Sequence, residues 1–417
     1  MTRIRSLGEF EVRGRRVLVR VDLNVPMRDG RVGDATRLER ILPTVEDLAA
    51  RGARIVLLSH FGRPKGRRNP ALSLRPIADA LAGFLNGRSV AFAEDCVGAT
   101  AESAVARLTD GDVVLLENLR FHAGEEANDG SFADALARLG DLYVDDAFSC
   151  AHRAHASVEA LARRLPAAAG LAMQAELEAL HRALDEPERP VMAIIGGAKV
   201  STKLAVLEHL CTKVDAMAIG GGMANTFLLA RGHDVGRSLC EPDLVATARG
   251  IDASAAKAGC QLILPFDVVT AAELAPGAQA LTVASGEVDA AHMILDIGPE
   301  SAAGLATELK SYRTLVWNGP LGCFETPPFD GATNTVVAAA AELTRAGALL
   351  SVAGGGDTLA ALYHAGAAAD FTYLSTAGGA FLEWIEGRAL PGVEALAGAD
   401  PCHPRPPNLT DISSLNG

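Results

Sequence analysis

Four arginines, a histidine, an asparagine and an aspartate recur where short apolar runs end. Asp22-Leu23-Asn24-Val25-Pro26 follows one run and Ser59-His60-Phe61-Gly62-Arg63-Pro64 a second. Glu117-Asn118-Leu119-Arg120 follows a third, and Asp145-Asp146, with Arg153 beyond, a fourth. Guanidinium groups bond phosphate or carboxylate oxygens through a planar fork. Arg37, Arg63, Arg120 and Arg153, with His60 and Asn24, would therefore form a cationic basin for such an anion. Asp22 is suited to accept from a ligand hydroxyl. Each arginine taken alone reads more readily as a solvated loop residue, and it is repetition at successive run ends that argues for a site.

A second set is rich in glycine: Gly196-Gly197-Ala198-Lys199 with Lys203 beyond, Gly220-Gly221-Gly222, Trp317-Asn318-Gly319-Pro320, Gly354-Gly355-Gly356-Asp357-Thr358 and Ser375-Thr376-Ala377-Gly378-Gly379. Glycines between a strand and a helix N-terminus let backbone N–H groups approach an anion, which suits a polyphosphate. The spacing of Lys199 and Lys203 predicts a pair facing one way on a helix. Asp357 reads as the cap of a helix over 358–363 or as a magnesium ligand. Known fingerprints are missing: no stretch reads G-x-x-x-x-G-K-[ST], Leu359 stands where the dinucleotide motif begun at Gly354 needs a glycine, and the protein-kinase strings do not occur. Cys150 beside His152 and His155 lacks a recognisable orienting partner for a thiol nucleophile.

The elements that would position these residues alternate between β-branched runs and Ala/Leu-rich segments, the pattern of a parallel α/β fold. Strands are predicted over 16–21, 54–58, 113–116 and 142–144 in the first half. In the second they fall over 191–195, 216–219, 262–264, 293–297, 314–316 and 349–352. Two doubly wound parallel-sheet, Rossmann-like lobes, joined by a helix over 168–184, are the simplest assembly. Ligands in such sheets bind beyond the carboxyl ends of the strands, where both sets of residues lie. Four prolines after residue 398 predict an extended tail.

The 417 residues are 49% hydrophobic and 21% charged, an ordinary globular composition. A net charge of −13 opposes nucleic acid and anionic membranes as partners. The sign is uneven: residues 1–165 hold 24 Lys and Arg against 23 Asp and Glu, the remainder 14 against 28. No run is long and apolar enough for a membrane span or a signal peptide. Seven scattered cysteines without a C-x-x-C pair fit a reducing cytoplasm.

Seven strings, taken in order, resemble the phosphoglycerate kinase family: R-V-D-L-N-V-P (20–26), S-H-F-G-R-P (59–64), E-N-L-R-F (117–121), D-A-F-S-C-A-H-R-A-H-A-S (146–157), G-G-A-K-V-S-T-K (196–203), W-N-G-P-L-G-C-F-E (317–325) and G-G-G-D-T (354–358). The resemblance implies a triose-binding lobe over 1–167, a hinge helix over 168–184, a nucleotide-binding lobe over 185–388 and a segment over 389–417 returning to the first lobe. It implies reversible, magnesium-dependent phosphoryl transfer from 1,3-bisphosphoglycerate to ADP by a cytoplasmic monomer. Asp22, Leu23, Asn24, Arg37, His60, Phe61, Gly62, Arg63, Arg120 and Arg153 are the implied triose ligands. Lys203, Asn318, Glu325, Gly354, Gly355, Gly356, Asp357 and Thr358 are those for ATP or ADP, Asp357 also for the metal. Arg37, Lys199, Gly378 and Gly379 are expected to neutralise the group in transit. A non-catalytic binding protein of the same fold is the competing reading. Four features depart from the family pattern: Ser149 in place of glycine, Ala377, Phe381 and the tail after Ala397.

Overall fold

The computed structural model describes residues 3–398; the tail predicted after residue 398 lies outside them. The chain divides into two compact units, one holding residues up to Gln174 together with the segment from Leu390, the other Ala175–Ala389.

The first unit is built on a six-stranded sheet in the order β5-β6-β4-β1-β7-β8. Its strands are β1 (Arg16–Arg20), β4 (Arg54–Leu58), β5 (Val90–Ala93), β6 (Val113–Leu116), β7 (Leu142–Asp145) and β8 (Ala167–Ala169), while β2 (Met27–Arg28) and β3 (Arg31–Val32) form a separate hairpin. Every pairing in the large sheet is parallel. Val17, Leu18 and Val19 on β1 are wholly buried, as are Ile55, Val56 and Leu57 on β4, because helices cover both faces. The helix Thr36–Ala50 packs Leu38, Ile41, Val45 and Leu48 against this core at helical spacing. From β1 the chain moves first to β4 on one side and later to β7 on the other. The crevice between β1 and β7 is therefore the topological switch point.

The second unit carries a six-stranded parallel sheet in the order β11-β10-β9-β15-β16-β17, the 3-2-1-4-5-6 order of dinucleotide-binding folds although that fingerprint is missing. The strands are β9 (Val191–Ile195), β10 (Ala216–Ile219), β11 (Gln261–Ile263), β15 (Thr314–Asn318), β16 (Leu350–Gly354) and β17 (Tyr373–Ser375). Its switch point lies between β9 and β15. A separate antiparallel sheet joins β12 (Asp267–Ala271), β13 (Leu281–Ala284) and β14 (Met293–Ile297) in the order β13-β12-β14.

Three expectations need correction. The strand over 293–297 belongs to that antiparallel sheet, whose β13 faces solvent along much of its length as antiparallel sheets can. The helix expected from residue 168 begins at Leu171: Ala167–Ala169 pairs with β7 instead, and the helix runs over Leu171–Leu180, continued by a wider turn at His181–Asp185. Edge strands β5, β8 and β17 were not anticipated, being short and, in β5 and β8, diluted by alanine. The helix Pro391–Ala397 is part of the first unit: Gly392 N–H donates to the Ala151 carbonyl at 2.9 Å, and Val393, Ala395 and Leu396 are buried. Among the described residues no helix is long and apolar enough to cross a membrane.

Candidate functional sites

At the switch point of the first unit, hydrogen bonds tie the four post-strand segments together. Arg37 Nη1 donates to the Asn24 carbonyl and pairs with Asp22 Oδ2, both at 2.8 Å. Asn24 Oδ1 accepts from Gly62 N–H at 2.9 Å, and Arg120 Nη1 donates to the Gly62 carbonyl at 2.8 Å. Asn118 braces the same loops, accepting from the N–H groups of Phe61 and Arg120 and donating to the Phe61 carbonyl. Leu23 and Phe61 are core side chains, so their contribution is backbone; Leu23 N–H donates to Ser59 Oγ at 2.9 Å. Arg63 is exposed, and Arg153 is half-buried with Nε on His152. Neither is bonded to the Asp22–Arg120 network.

Sequence reasoning missed Arg20. This guanidinium is wholly buried at the end of β1, with Nε on Ser157 Oγ at 2.9 Å and Nη2 on His60 Nδ1 at 3.1 Å. Arginine only donates, so His60 Nδ1 must be the acceptor and Nε2 must carry the ring proton. Burial, followed by the charges of Arg20, Arg120, His155 and Arg37, holds His60 well below its usual pKa. Arg120 is likewise lowered, first by burial, with Arg20 and Arg153 adding repulsion against Glu126. The result is a crowd of cations around a neutral histidine, an environment that a bound anion relieves. Burial raises the Cys150 thiol and so disfavours a thiolate, and His60 Nδ1, 4.0 Å from its Sγ, already accepts from Arg20.

His155 is also pushed down, to about 4, by burial and then by Arg120, Arg20 and Arg153. Its neutral form is stabilising above the unfolded value of about 6.5, and that contribution is lost as pH falls toward 4. The buried carboxyls Asp145, raised by desolvation to about 6, and Asp146 and Asp296, each to about 7, act in the opposite sense: they favour the fold at low pH and lose that effect as pH rises through these values. Comparing wild type with His155→Gln isolates the histidine. The variant's melting temperature is expected to fall less than the wild type's between pH 6.5 and 4, and parallel melting curves would contradict it.

In the second unit a cavity of about 520 Å³ is lined by Gly197, Ala198, Gly221 and Gly222 on one side and by Gly322, Glu325 and Asp357 on others. Its apolar wall includes Leu239, Leu274, Met293, Leu295 and Phe324. Leu239 and Leu274 are about half exposed, at 53% and 50%, so a flat apolar ligand would cover surface otherwise left to water. This wall is assembled from segments far apart in sequence: two loops carrying Leu239 and Leu274, strand β14 and the segment that follows β15.

The glycines around this cavity have steric reasons. Chains leaving β9 and β15 cross so closely that a Cβ on Gly196 would overlap the Pro320 carbonyl, and one on Gly319 the Gly196 carbonyl. Lys203 Nζ donates into this crossing, to the carbonyls of Gly196 at 2.5 Å and Asn318 at 2.9 Å. Lys199 is exposed and extended ahead of the turn Val200–Thr202, so the two lysines do not share an α-helical face as expected. Asn318 and Thr358 are buried loop braces: Asn318 Nδ2 and Thr358 Oγ1 both donate to the Gly354 carbonyl. The cap of the helix Gly356–His364 is Gly355, at φ 99°, leaving Asp357 exposed in the first turn. Gly378, at φ 54°, precedes the helix Gly379–Ile385. Ala377 is not among the residues with positive φ, so its Cβ imposes no backbone strain there. Phe381 is wholly buried, its ring 2.6 Å from where a Gly354 Cβ would stand.

One unit thus holds a cationic basin suited to an anion, and the other an apolar cavity beside a helix N-terminus. A profile of the phosphoglycerate kinase family matches residues 7–388, and the chain belongs to that family. It is 60% identical over 397 residues to the phosphoglycerate kinase of Methylobacterium radiotolerans, covering 95% of this chain and 99% of that one. It is 62% identical over 393 residues to that of Rhizorhabdus wittichii, covering 94% and 99%. The phosphoglycerate kinase structure from Coxiella burnetii superposes with a TM-score of 0.89 at 39% identity, covering 95% of this chain and all of that one.

Proposed function

We propose that the chain catalyses reversible phosphoryl transfer from the acyl phosphate of 1,3-bisphosphoglycerate to the β-phosphate of ADP, giving 3-phosphoglycerate and ATP. The observation that carries this reading is the cationic cluster of Arg20, Arg37 and Arg120 around the neutral His60 at the first switch point, in which Arg37 pairs with Asp22 and Arg120 with Glu126. There Arg120 and the neutral His60, with Arg63 and Arg153, would take the 3-phosphate, and Asp22 and Asn24 the triose hydroxyl and carboxylate. The first unit is the triose lobe and the second the nucleotide lobe, with the purine in the apolar cavity, Glu325 on the ribose and the phosphates at Gly355–Asp357.

The accepting carboxylate is ionised at neutral pH, so no general base is needed. Rate then comes from alignment and from neutralising charge on the group in flight. Arg37 and Lys199 supply cations, and the N–H groups at Gly378 and Gly379 supply donors. Asp357 fits a magnesium ion: its carboxylate is exposed beside the cavity and has no hydrogen bond among the described residues. Such an ion takes one or two carboxylates with phosphate oxygens and water, and when bound supplies charge neutralisation on the phosphates. The segment 168–184 is the proposed hinge, and the enzyme is a cytoplasmic monomer.

The test couples Mg-ATP and 3-phosphoglycerate turnover to NADH oxidation through glyceraldehyde-3-phosphate dehydrogenase. Turnover is expected, and none in correctly folded protein would overturn the reading. Lys203 is lowered to about 8 by burial, against the pull of Asp357. Lys203→Ala is expected to raise the KM for ATP about tenfold or more, the scale of losing a charge-assisted bond, with the triose KM within about twofold. Nucleotide affinity should also weaken above pH 8 in the wild type alone. Equal losses at both substrates would refute the assignment.

A further inference from the structure

Ser149, in the segment that follows β7, has its hydroxyl at the centre of the first site. Oγ donates to Asp22 Oδ2 at 2.6 Å. An ionised carboxylate only accepts, so the serine proton lies toward Asp22. The same Oδ2 pairs with Arg37 Nη1 at 2.8 Å, while Oδ1 accepts from Asn24 N–H at 3.1 Å. Asp22 follows β1 and Ser149 follows β7, so this bond spans the switch-point crevice.

The donor is held from beneath. Ser149 is the middle residue of the one-turn helix Phe148–Cys150, which is closed by Cys150 N–H on the Ala147 carbonyl at 2.8 Å. Ala147 N–H is in turn fixed on Asp145 Oδ1 at 3.0 Å. Glycine at 149 would leave the Asp22 carboxylate held only by Arg37 and the Asn24 N–H, both on the β1 side of the crevice. With serine the carboxylate is gripped from both sides.

We propose that Ser149 is a positioning residue for triose binding: its hydroxyl fixes the Asp22 carboxylate, and through it the Arg37 guanidinium, in the orientation that receives the substrate. It touches no reacting atom. The inference rests on the triose-site reading above and adds a residue to it. Because it acts on the pre-formed site, its removal appears mainly in the triose KM.

A double-mutant cycle tests it, using steady-state kinetics of full-length Ser149→Ala, Ser149→Thr, Asp22→Asn and Ser149→Ala/Asp22→Asn, each checked for an unchanged melting temperature. Ser149→Ala is expected to raise the KM for 3-phosphoglycerate about three- to tenfold, the scale of one hydrogen bond to a charged group. The ATP KM should move less than about twofold, and Ser149→Thr should restore most of the loss. In the Asp22→Asn background Ser149→Ala should add little, since its effect passes through the carboxylate. An unchanged triose KM in Ser149→Ala, equal rises for both substrates, or full additivity with Asp22→Asn would each overturn the inference. Should Asp22→Asn itself leave the triose KM unchanged, the triose-site reading fails, an outcome distinct from failure of the serine alone. If Ser149→Ala melts lower, Ser149→Gly is read in the same cycle, and additivity there overturns the proposal equally.

Discussion

Arg37→Lys lowers kcat about 100-fold while the KM for ATP stays within about twofold, on the scale of removing one preorganised donor from a developing charge. Arg37 uses Nη1 twice over, on the Asn24 carbonyl and on Asp22. Its remaining N–H groups, on a side chain 35% exposed, are left to face a ligand. Lysine brings one nitrogen. An ammonium that satisfied the Asn24 and Asp22 anchors would have no second fork for the transferring group, and one that reached the ligand would release Asp22. Steady-state kinetics at saturating triose and nucleotide check this, with melting curves to show that the fold is kept. An unchanged kcat would remove Arg37 from the chemistry.

Gly196→Ala is expected to destabilise the second unit by about 3 kcal/mol or more, because the clash is between backbone atoms that no rotamer change can relieve. A Cβ there overlaps the Pro320 carbonyl, and Pro320 follows Gly319, whose own backbone lies against Gly196. Separating the two chains also pulls apart the Gly196 and Asn318 carbonyls that Lys203 joins. A drop in melting temperature on the order of 10 °C, accompanied by weakened nucleotide binding in calorimetry, is the expected result. A variant that melts and binds ATP as the wild type does would show that the crossing can open without cost. Gly250→Ala, in the helix Val245–Ala258 of the same unit, is the matched control, since a Cβ there meets nothing within 4 Å.

The residues that announce themselves in this sequence are those whose chemistry and position coincide. Apolar runs such as Val17–Val19 read as strands because both faces are buried, and polar residues just beyond them then fall at the carboxyl ends of the sheet. Asp22, Asn24 and Arg120 were legible on that basis, Arg37 from the helical segment after the first run and Gly62 only from the family resemblance; all five are joined by hydrogen bonds in the structure. Arg20 was not, because an arginine closing a strand looks like its solvated end; only the fold shows Ser157 and His60 around it. Leu239, Leu274 and Met293 carry no joint spacing signal, since two separate loops and the start of β14 bring them to one wall. The Lys199/Lys203 pairing failed because helical spacing was assumed where the backbone makes a short turn after an extended residue. Ser149 was visible as a departure, but its partner lies 127 positions away and is brought near only by the adjacency of β1 and β7.

The helix Pro391–Ala397 gives the two units different histories during synthesis. The second unit is one uninterrupted stretch, Ala175–Ala389, and has all its residues as soon as that stretch has left the ribosome. The first is not: Ala151 waits for Gly392, and a Cβ on Gly392 would meet Val158 and Ala151, so the seat for this helix is already shaped for a backbone without a side chain. Until some 240 further residues have been translated, a nascent first unit must keep that apolar seat open to water. The earlier-made half of the protein is thus the later one to be finished, and the interval between is when a chaperone would have surface to hold.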